Sequence, residues 1–220
     1  SLGGTIGPGQ NLLAPGPAAC RQIQLPFPIL DNDQLGKLIH VDEVEPDFKA
    51  VVIEGLYPVA GGGTALREAI EDIRRQASEA IAAGANVVVL SDRESTRDLA
   101  PIPSLLLTAA VHHHLVREKT RANVGLVVEA GDAREVHHMA LLIGYGAGAI
   151  NPYLAFESIE DLIAHDLYGL GGVEPAQPGR GELRGQSGAA EILVHALGPG
   201  QGLAAQAHLV LEGGLHHGGD

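Results

Sequence analysis

Two short runs, residues 86–90 (NVVVL) and 124–128 (VGLVV), are apolar almost without interruption. A strand with one wet face alternates apolar and polar side chains, because neighbouring residues point to opposite sides of a sheet. Near-continuous apolarity over a strand's length means burial on both sides, as in a parallel sheet covered by helices. Segments of helical period lie between such runs. Leu66, Ala69, Ile70, Ile73, Ala77, Ala80 and Ile81 repeat every 3.6 residues, which predicts a helix over 65–83 closed by Gly84. Thr64, following Gly61-Gly62-Gly63, is read as its N-cap.

The cycle continues along the chain. Residues 48–53 (FKAVVI) suit a strand ahead of the first helix, and Pro101 and Pro103 open a second helix through Leu105, Leu106, Ala109, Ala110 and Leu115. Residues 133–143 read as a third helix, 147–150 as a fourth strand and 156–163 as a last helix. This alternation predicts right-handed parallel βαβ units. The expected fold is α/β: a half-barrel or open parallel sheet over residues 48–163, with no antiparallel strand within 86–128. Four parallel strands leave two open edges, so cover from elsewhere is expected.

The flanks differ in character. Residues 1–46 are rich in Gly and Pro and include Leu25-Pro26-Phe27-Pro28-Ile29-Leu30. Each proline fixes φ and removes a donor, so 1–46 reads as an extended arm lying across another surface. Residues 47–164 form the α/β domain. Residues 165–220 hold 14 of the 30 glycines and no lysine, and periodicity fades. They are read as a poorly ordered or out-of-frame tail, with a short helix at 189–197 as the exception.

Composition removes several function classes. Lys and Arg number 14 against 27 Asp and Glu, a net charge of −13, which disfavours nucleic acid and anionic membranes as partners. Aromatics are 3 % with no Trp, too few for a base-stacking surface. No segment reads as a signal peptide or a membrane span, and a cytoplasmic location is expected. The single cysteine, Cys20, excludes an intrachain disulfide framework, a thiolate zinc knuckle and a cysteine-held cluster within this chain. With no histidine near it in sequence to activate it, Cys20 is not read as a nucleophile.

Three groups of residues could carry chemistry. His112-His113-His114 and His137-His138 offer imidazoles, but consecutive helical residues point about 100° apart, so at most two of three could share a metal. Structural roles are the simpler reading, with a metalloenzyme using His112 and His137 as an outside alternative. The strand ends present Glu54, Ser91-Asp92-Arg93, Glu129-Ala130-Gly131-Asp132 and Asn151-Pro152. Asp92 and Glu129 could be an acid–base pair; otherwise Asp92, Asp132 and their neighbours cap the next helix or pair with Arg93 and Arg134. A small anion bound at Ser91, Glu129 and Asn151 is the second alternative. Finally, Gly61-Gly62-Gly63-Thr64 lacks the Walker ending, and Gly144-Tyr145-Gly146-Ala147-Gly148-Ala149 follows a helix where a dinucleotide fingerprint must follow a strand.

A set of blocks in order is more specific: Leu25-Pro26-x-Pro28-Ile29-Leu30, Ser91-Asp92-Arg93, Ala110-Val111-His112-His113-His114-Leu115, Arg134-Glu135-Val136-His137-His138 and Gly144-Tyr145-Gly146-Ala147-Gly148-Ala149-Ile150-Asn151-Pro152-Tyr153-Leu154-Ala155. Together they resemble the central domain of the glutamate synthase large subunit over roughly residues 5–163. The resemblance implies a scaffold domain between a glutamine amidotransferase domain and an FMN domain. The parent converts glutamine and 2-oxoglutarate to two glutamate, with NADPH, NADH or ferredoxin as reductant. It also implies that FMN, an iron–sulfur cluster and the nucleophilic cysteine belong to other parts of that enzyme. The partners implied are those two domains, with a small subunit or ferredoxin reached through the full enzyme. No catalytic, cofactor-binding or metal-binding residue carries over to this chain, and the fragment is expected to be inactive alone. After Glu174-Pro175 the family pattern is not continued, and a reading-frame shift near residue 176 would account for the glycine-rich tail.

Overall fold

The apolar runs become the middle of a parallel sheet. The computed structural model describes residues 3–9, 13 and 22–166. Its elements are β1 (Gly4–Ile6), β2 (Ile23–Leu25), α1 (Asn32–Ile39), β3 (Ala50–Glu54), β4 (Leu56–Pro58), α2 (Gly62–Ala82), β5 (Val87–Ser91), β6 (Leu99–Pro101), α3 (Ser104–Arg117), β7 (Gly125–Glu129), α4 (Val136–Gly144), β8 (Ala149–Asn151) and α5 (Tyr153–Ala164). Residues 1–155 form one unit, which contains the whole sheet; a second unit begins at Phe156. The tail beyond residue 166, the helix expected at 189–197, and Cys20 lie outside the described residues.

The four-stranded sheet has the order β3-β5-β7-β8, which is chain order, and every pair is parallel. Connections that all step the same way, with the usual right hand, put their helices on one face. The packing agrees. Ile53, Val88, Leu90 and Leu126 meet Ile73 and Ala77 of α2 and Leu107, Val111 and Leu115 of α3. The alternate strand residues Val87, Val89, Val127 and Ala149 point the other way, against Ile6, Leu30, Leu35, Leu38 and Phe48. So the two faces of β5 and β7 are covered by different parts of the chain, and every residue of both strands is buried. At about 1.5–3 kcal/mol for each large side chain, the five N-terminal residues contribute as much to the core as a helix would.

The N-terminal segment carries more structure than an extended arm. β1 and β2 pair antiparallel, and 32–39 is helical. Asp31 accepts from Gln34 N–H at 2.7 Å while the Gln34 side chain accepts from Asp31 N–H at 3.1 Å, a reciprocal cap that starts α1. Between these elements the segment is extended and covers one sheet edge: Ile29 bridges Ile150 in parallel, Leu30 N–H donates to Ile150 O, and Ile150 N–H donates to Pro28 O.

Two further corrections concern local structure. Thr64 does not cap α2. A tight turn at Val59–Gly61 leads straight into the helix, so Gly61 takes the cap position without a side-chain bond and Thr64 lies inside the first turn. One antiparallel strand also occurs within 86–128: β6, which pairs with β4 outside that range. The pair is a separate three-residue ribbon, formed where Gly55 turns the chain out of β3; β5 and β7 themselves pair in parallel.

Candidate functional site

The C-terminal ends of the strands carry a polar network at the rim of this apolar sheet. Parallel register sets Ser91, at the end of β5, beside Glu129, at the end of β7. Both are buried. The Ser91 hydroxyl donates to Glu129 Oε2 at 2.6 Å, and Arg93 Nε donates to Glu129 Oε1 at 2.5 Å. Each carboxylate oxygen has a donor, one of them charged, which is the condition for burying such a group. Arg93 lies over the Tyr153 ring, its guanidinium carbon 4.2 Å from the centroid.

Asp92 engages the opposite side. Its oxygens accept from Gly131 N–H at 2.9 and 3.0 Å, and the Tyr153 hydroxyl donates to it. A Cβ on Gly131 would stand 2.8 Å from the Tyr153 hydroxyl, so only glycine leaves room for this approach. Burial pushes the Asp92 carboxyl above its ordinary 3.8, and the nearby Asp132 and Glu129 charges add to that; the Gly131 and Tyr153 hydrogen bonds oppose it. Burial and the Asp92 charge in turn raise the Tyr153 hydroxyl well above its ordinary range.

The N-terminal segment joins the same network. Asn151, at the end of β8 and fully buried, donates from Nδ2 to Leu30 O at 2.9 Å and to Asn32 Oδ1 at 3.0 Å. Arg93 Nη2 reaches Asn32 Oδ1 at 3.4 Å. Asn151 Oδ1 is buried without a hydrogen-bond partner among the described residues. Asp132 caps a helix, though not the one that follows it: its Oδ2 accepts from Ser104 N–H at 3.1 Å, at the start of α3. Arg93 forms an ion pair, and its partner is Glu129, while among the described residues Arg134 donates its backbone N–H to His138 Nδ1 at 3.2 Å and has no ion pair. Glu54 is exposed at the end of β3. The structure therefore brings Asp92 and Glu129 to adjacent strand ends, where each is bonded to protein groups.

The histidines do not converge. No group of three His, Cys, Asp or Glu side chains suited to a metal occurs among the described residues. His112 accepts at Nδ1 from Arg121 Nε at 3.0 Å, and Arg121 also donates to Val124 O at 2.8 Å and Gly146 O at 2.7 Å. This clamp joins α3, the turn before β7 and the turn before β8. Burial and the neighbouring Arg121 charge depress the His112 pKa below its ordinary 6.5. His114 shares Ser78 with Glu118 across α2 and α3: the Ser78 hydroxyl lies 2.9 Å from His114 Nε2 and donates to Glu118 Oε2 at 2.5 Å. His113 and His137 are exposed. The 144–149 glycine segment ends a helix, with Tyr145 N–H and Gly146 N–H returning to Leu141 O and Ile143 O.

The family model for the glutamate synthase central domain matches residues 1–194. This chain belongs to that family. The match extends past Glu174-Pro175 and so overlaps the first part of the tail that the sequence reading sets apart. NADH-dependent glutamate synthase of Schizosaccharomyces pombe is 42 % identical over 158 residues, 72 % of this chain and 8 % of that protein. The NADPH-dependent large chain of Bacillus subtilis is 41 % identical over 158 residues, 72 % of this chain and 10 % of that one. Ferredoxin-dependent glutamate synthase of Pyropia yezoensis is 36 % identical over 160 residues, again 72 % and 10 %. The chain spans about a tenth of the length of these relatives. Among solved structures, a flavocytochrome b2 variant with sulfite bound aligns over 71 % of this chain and 32 % of its own at 21 % identity and a TM-score of 0.40, too distant to carry an argument.

For a glutamate synthase central domain, the site has two participants that motif reading passed over. Tyr153 and Asn32 hold the network together: the Tyr153 ring lies under Arg93 and Asn32 Oδ1 accepts from Asn151. The usable signal for Asn32 was the Asp31-x-x-Gln34 cap, which places it at a helix start beside the strand ends.

Proposed function

We propose that this chain serves as the central scaffold of a glutamate synthase large subunit and supplies no catalytic residue, cofactor ligand or metal ligand. The whole enzyme would convert glutamine, 2-oxoglutarate and reductant to two glutamate. This domain would link the glutamine amidotransferase and FMN domains, its direct partners, and meet a small subunit or ferredoxin only through the full assembly. The observation that carries this reading is the mutual pairing of Ser91, Arg93, Glu129, Asp92, Tyr153, Asn151 and Asn32, which spends most of the polar groups of the strand ends on one another. Relatives named for NADH, NADPH and ferredoxin match at comparable identity, which fits a domain that does not choose the electron donor.

FMN and an iron–sulfur cluster are expected in the parent enzyme, and the residues here suit neither. Cluster ligation takes several thiolates and the chain has one cysteine. The unpartnered buried atom at the strand ends, Asn151 Oδ1, is an acceptor, whereas a flavin phosphate needs donors. A cytoplasmic location is part of the proposal; among the described residues no helix is long and apolar enough to cross a membrane. The small-anion alternative gains no observation in its favour, since Ser91, Glu129 and Asn151 bind protein groups. The metal alternative gains none, since His112 accepts from Arg121 and the exposed His137 joins no group of three ligand side chains among the described residues.

The test is a graft. Residues 1–164 replace the corresponding segment of the Bacillus subtilis large chain, and glutamine-dependent glutamate formation is measured with its NADPH system. Activity near that of the parent is expected. A folded, cofactor-loaded hybrid without activity would overturn the scaffold reading, as would turnover by the purified 220-residue chain alone.

A further inference from the structure

The clamp of His112 and Arg121 stands where the chain enters β7 and β8, at the opposite end of those strands from the polar network. Its chemistry fixes a protonation state. A guanidinium only donates, so Nδ1 of His112, which receives Arg121 Nε–H at 3.0 Å, must hold a lone pair. The neutral ring therefore carries its proton on Nε2. Acidic residues outnumber basic ones 27 to 14, yet among the described residues no carboxylate is bonded to Arg121. Burial alone moves its pKa, and moves it down. The titratable groups that act on His112 are Arg121 and His113, whose ring centroid is 5.1 Å away, and both disfavour a charge on it.

We propose that His112, Arg121 and Gly146 form an acid-released latch: a proton on His112 Nδ1 expels the guanidinium, and the turns entering β7 and β8 lose the donor that ties them to α3. A carboxylate beside the pair would absorb the second positive charge and leave the contact in place. Here the proton takes the acceptor that Arg121 Nε uses and sets two cations against each other. The ring has little room to turn away, since it lies so close to Gly146 that a Cβ there would overlap it. Release frees Val124 O and Gly146 O. The turn before β7 also holds Gly9 N–H through Ala122 O, so the effect reaches the N-terminal segment. The ladders of β5, β7 and β8 do not pass through Arg121 and stay closed. Acid thus loosens the entrances to two strands and leaves the sheet assembled.

The test is nuclear magnetic resonance on the full 220-residue chain. At about pH 8, where an imidazole is neutral, the His112 ring should carry its proton on Nε2 and none on Nδ1; the opposite tautomer overturns the proposal. On acidification the ring should titrate with a midpoint below 6.5. Exchange of the Gly9, Asn123 and Ala147 amides, corrected for intrinsic rate, should rise at least about tenfold with that same midpoint, while β5 and β7 keep their protection. Protonation of the ring with those three amides unchanged overturns the proposal. So does loss of the whole sheet in the same step, and so does a ring that stays neutral until the chain unfolds. His112→Asn, whose side-chain oxygen accepts from Arg121 and takes no proton, should hold the three amides closed across the titration. A folded variant that still opens with acid overturns the proposal; where the variant does not fold, the titration of the unmodified chain decides.

Discussion

Gly146→Ala should be among the most damaging single-methyl additions in this domain. Gly146 has φ of +109°, a conformation that costs an alanine about 1–2 kcal/mol. The added Cβ would also stand 2.1 Å from His112 Nδ1 and 2.6 Å from its Cγ. The imidazole must therefore move, and Arg121 Nε loses the acceptor it now has at 3.0 Å. Leaving a half-buried guanidinium N–H unpaired costs about 1–3 kcal/mol. The sum, about 2–5 kcal/mol, corresponds to a fall in Tm of roughly 5–15 °C for a domain of this size. Differential scanning calorimetry measures it, and a double-mutant cycle separates its two parts. In a His112→Ala background the steric part is already gone, so Gly146→Ala should cost only its backbone share, with a coupling of about 1–3 kcal/mol. Additivity within about 0.5 kcal/mol would refute the claim that ring and glycine constrain each other. A loss below about 1 kcal/mol in the unmodified chain would refute both parts.

Because the folded-state pKa of His112 is depressed below its ordinary 6.5, its contribution to stability is complete above that value and is lost as pH falls through the folded pKa. Urea titrations below pH 6.5 should show this slope, and His112→Asn, which can still accept from Arg121, should flatten it. Asp92 has the opposite sign: its carboxyl is raised above 3.8, so its charged form costs stability increasingly as pH rises from there through the folded value. Asp92→Asn should gain on the unmodified chain over that range, and an unchanged pH slope would contradict the burial argument. Glu129→Gln keeps shape but removes the charge facing Arg93; with Arg93 about a third exposed, the loss should be about 2 kcal/mol by chemical denaturation.

The parallel sheet was legible because its strands are buried on both faces, and burial on both faces removes polar residues from 87–90 and 126–128. Helices α2 to α5 were legible from their stripes, to within a few residues at each end. What covered the second face was not legible. Ile6, Leu30, Leu35 and Leu38 are spread over a segment whose Gly and Pro content argues against regular structure, and their common target is defined only once the sheet exists. α1 did carry a local signal, Asp31-x-x-Gln34 ahead of Leu35 and Leu38, which the surrounding prolines obscured. At the rim, an ion pair of Arg93 was legible as a pairing of charges, and the parallel register of β5 and β7 makes Glu129 its partner. Asp132 with Ser104 was not, because the cap is offered to a helix 28 residues earlier in the chain.

The ends of parallel strands are where α/β proteins usually present reactive groups, because loops converge there and side chains can point outward. This chain has the residue types for such use and turns them inward. Ser91 and Arg93 bind Glu129 across β5 and β7, Asp92 binds the backbone after β7, and Asn151 binds the segment that leads into α1. Apolar packing alone would let that segment slide along the sheet at small cost. Directional bonds to Leu30 O and Asn32 Oδ1 give it one position. Burying two carboxylates is costly unless each is fully paired, so removing any one partner should be felt across several elements. A rim built in this way acts as a joint between the N-terminal segment and three strands.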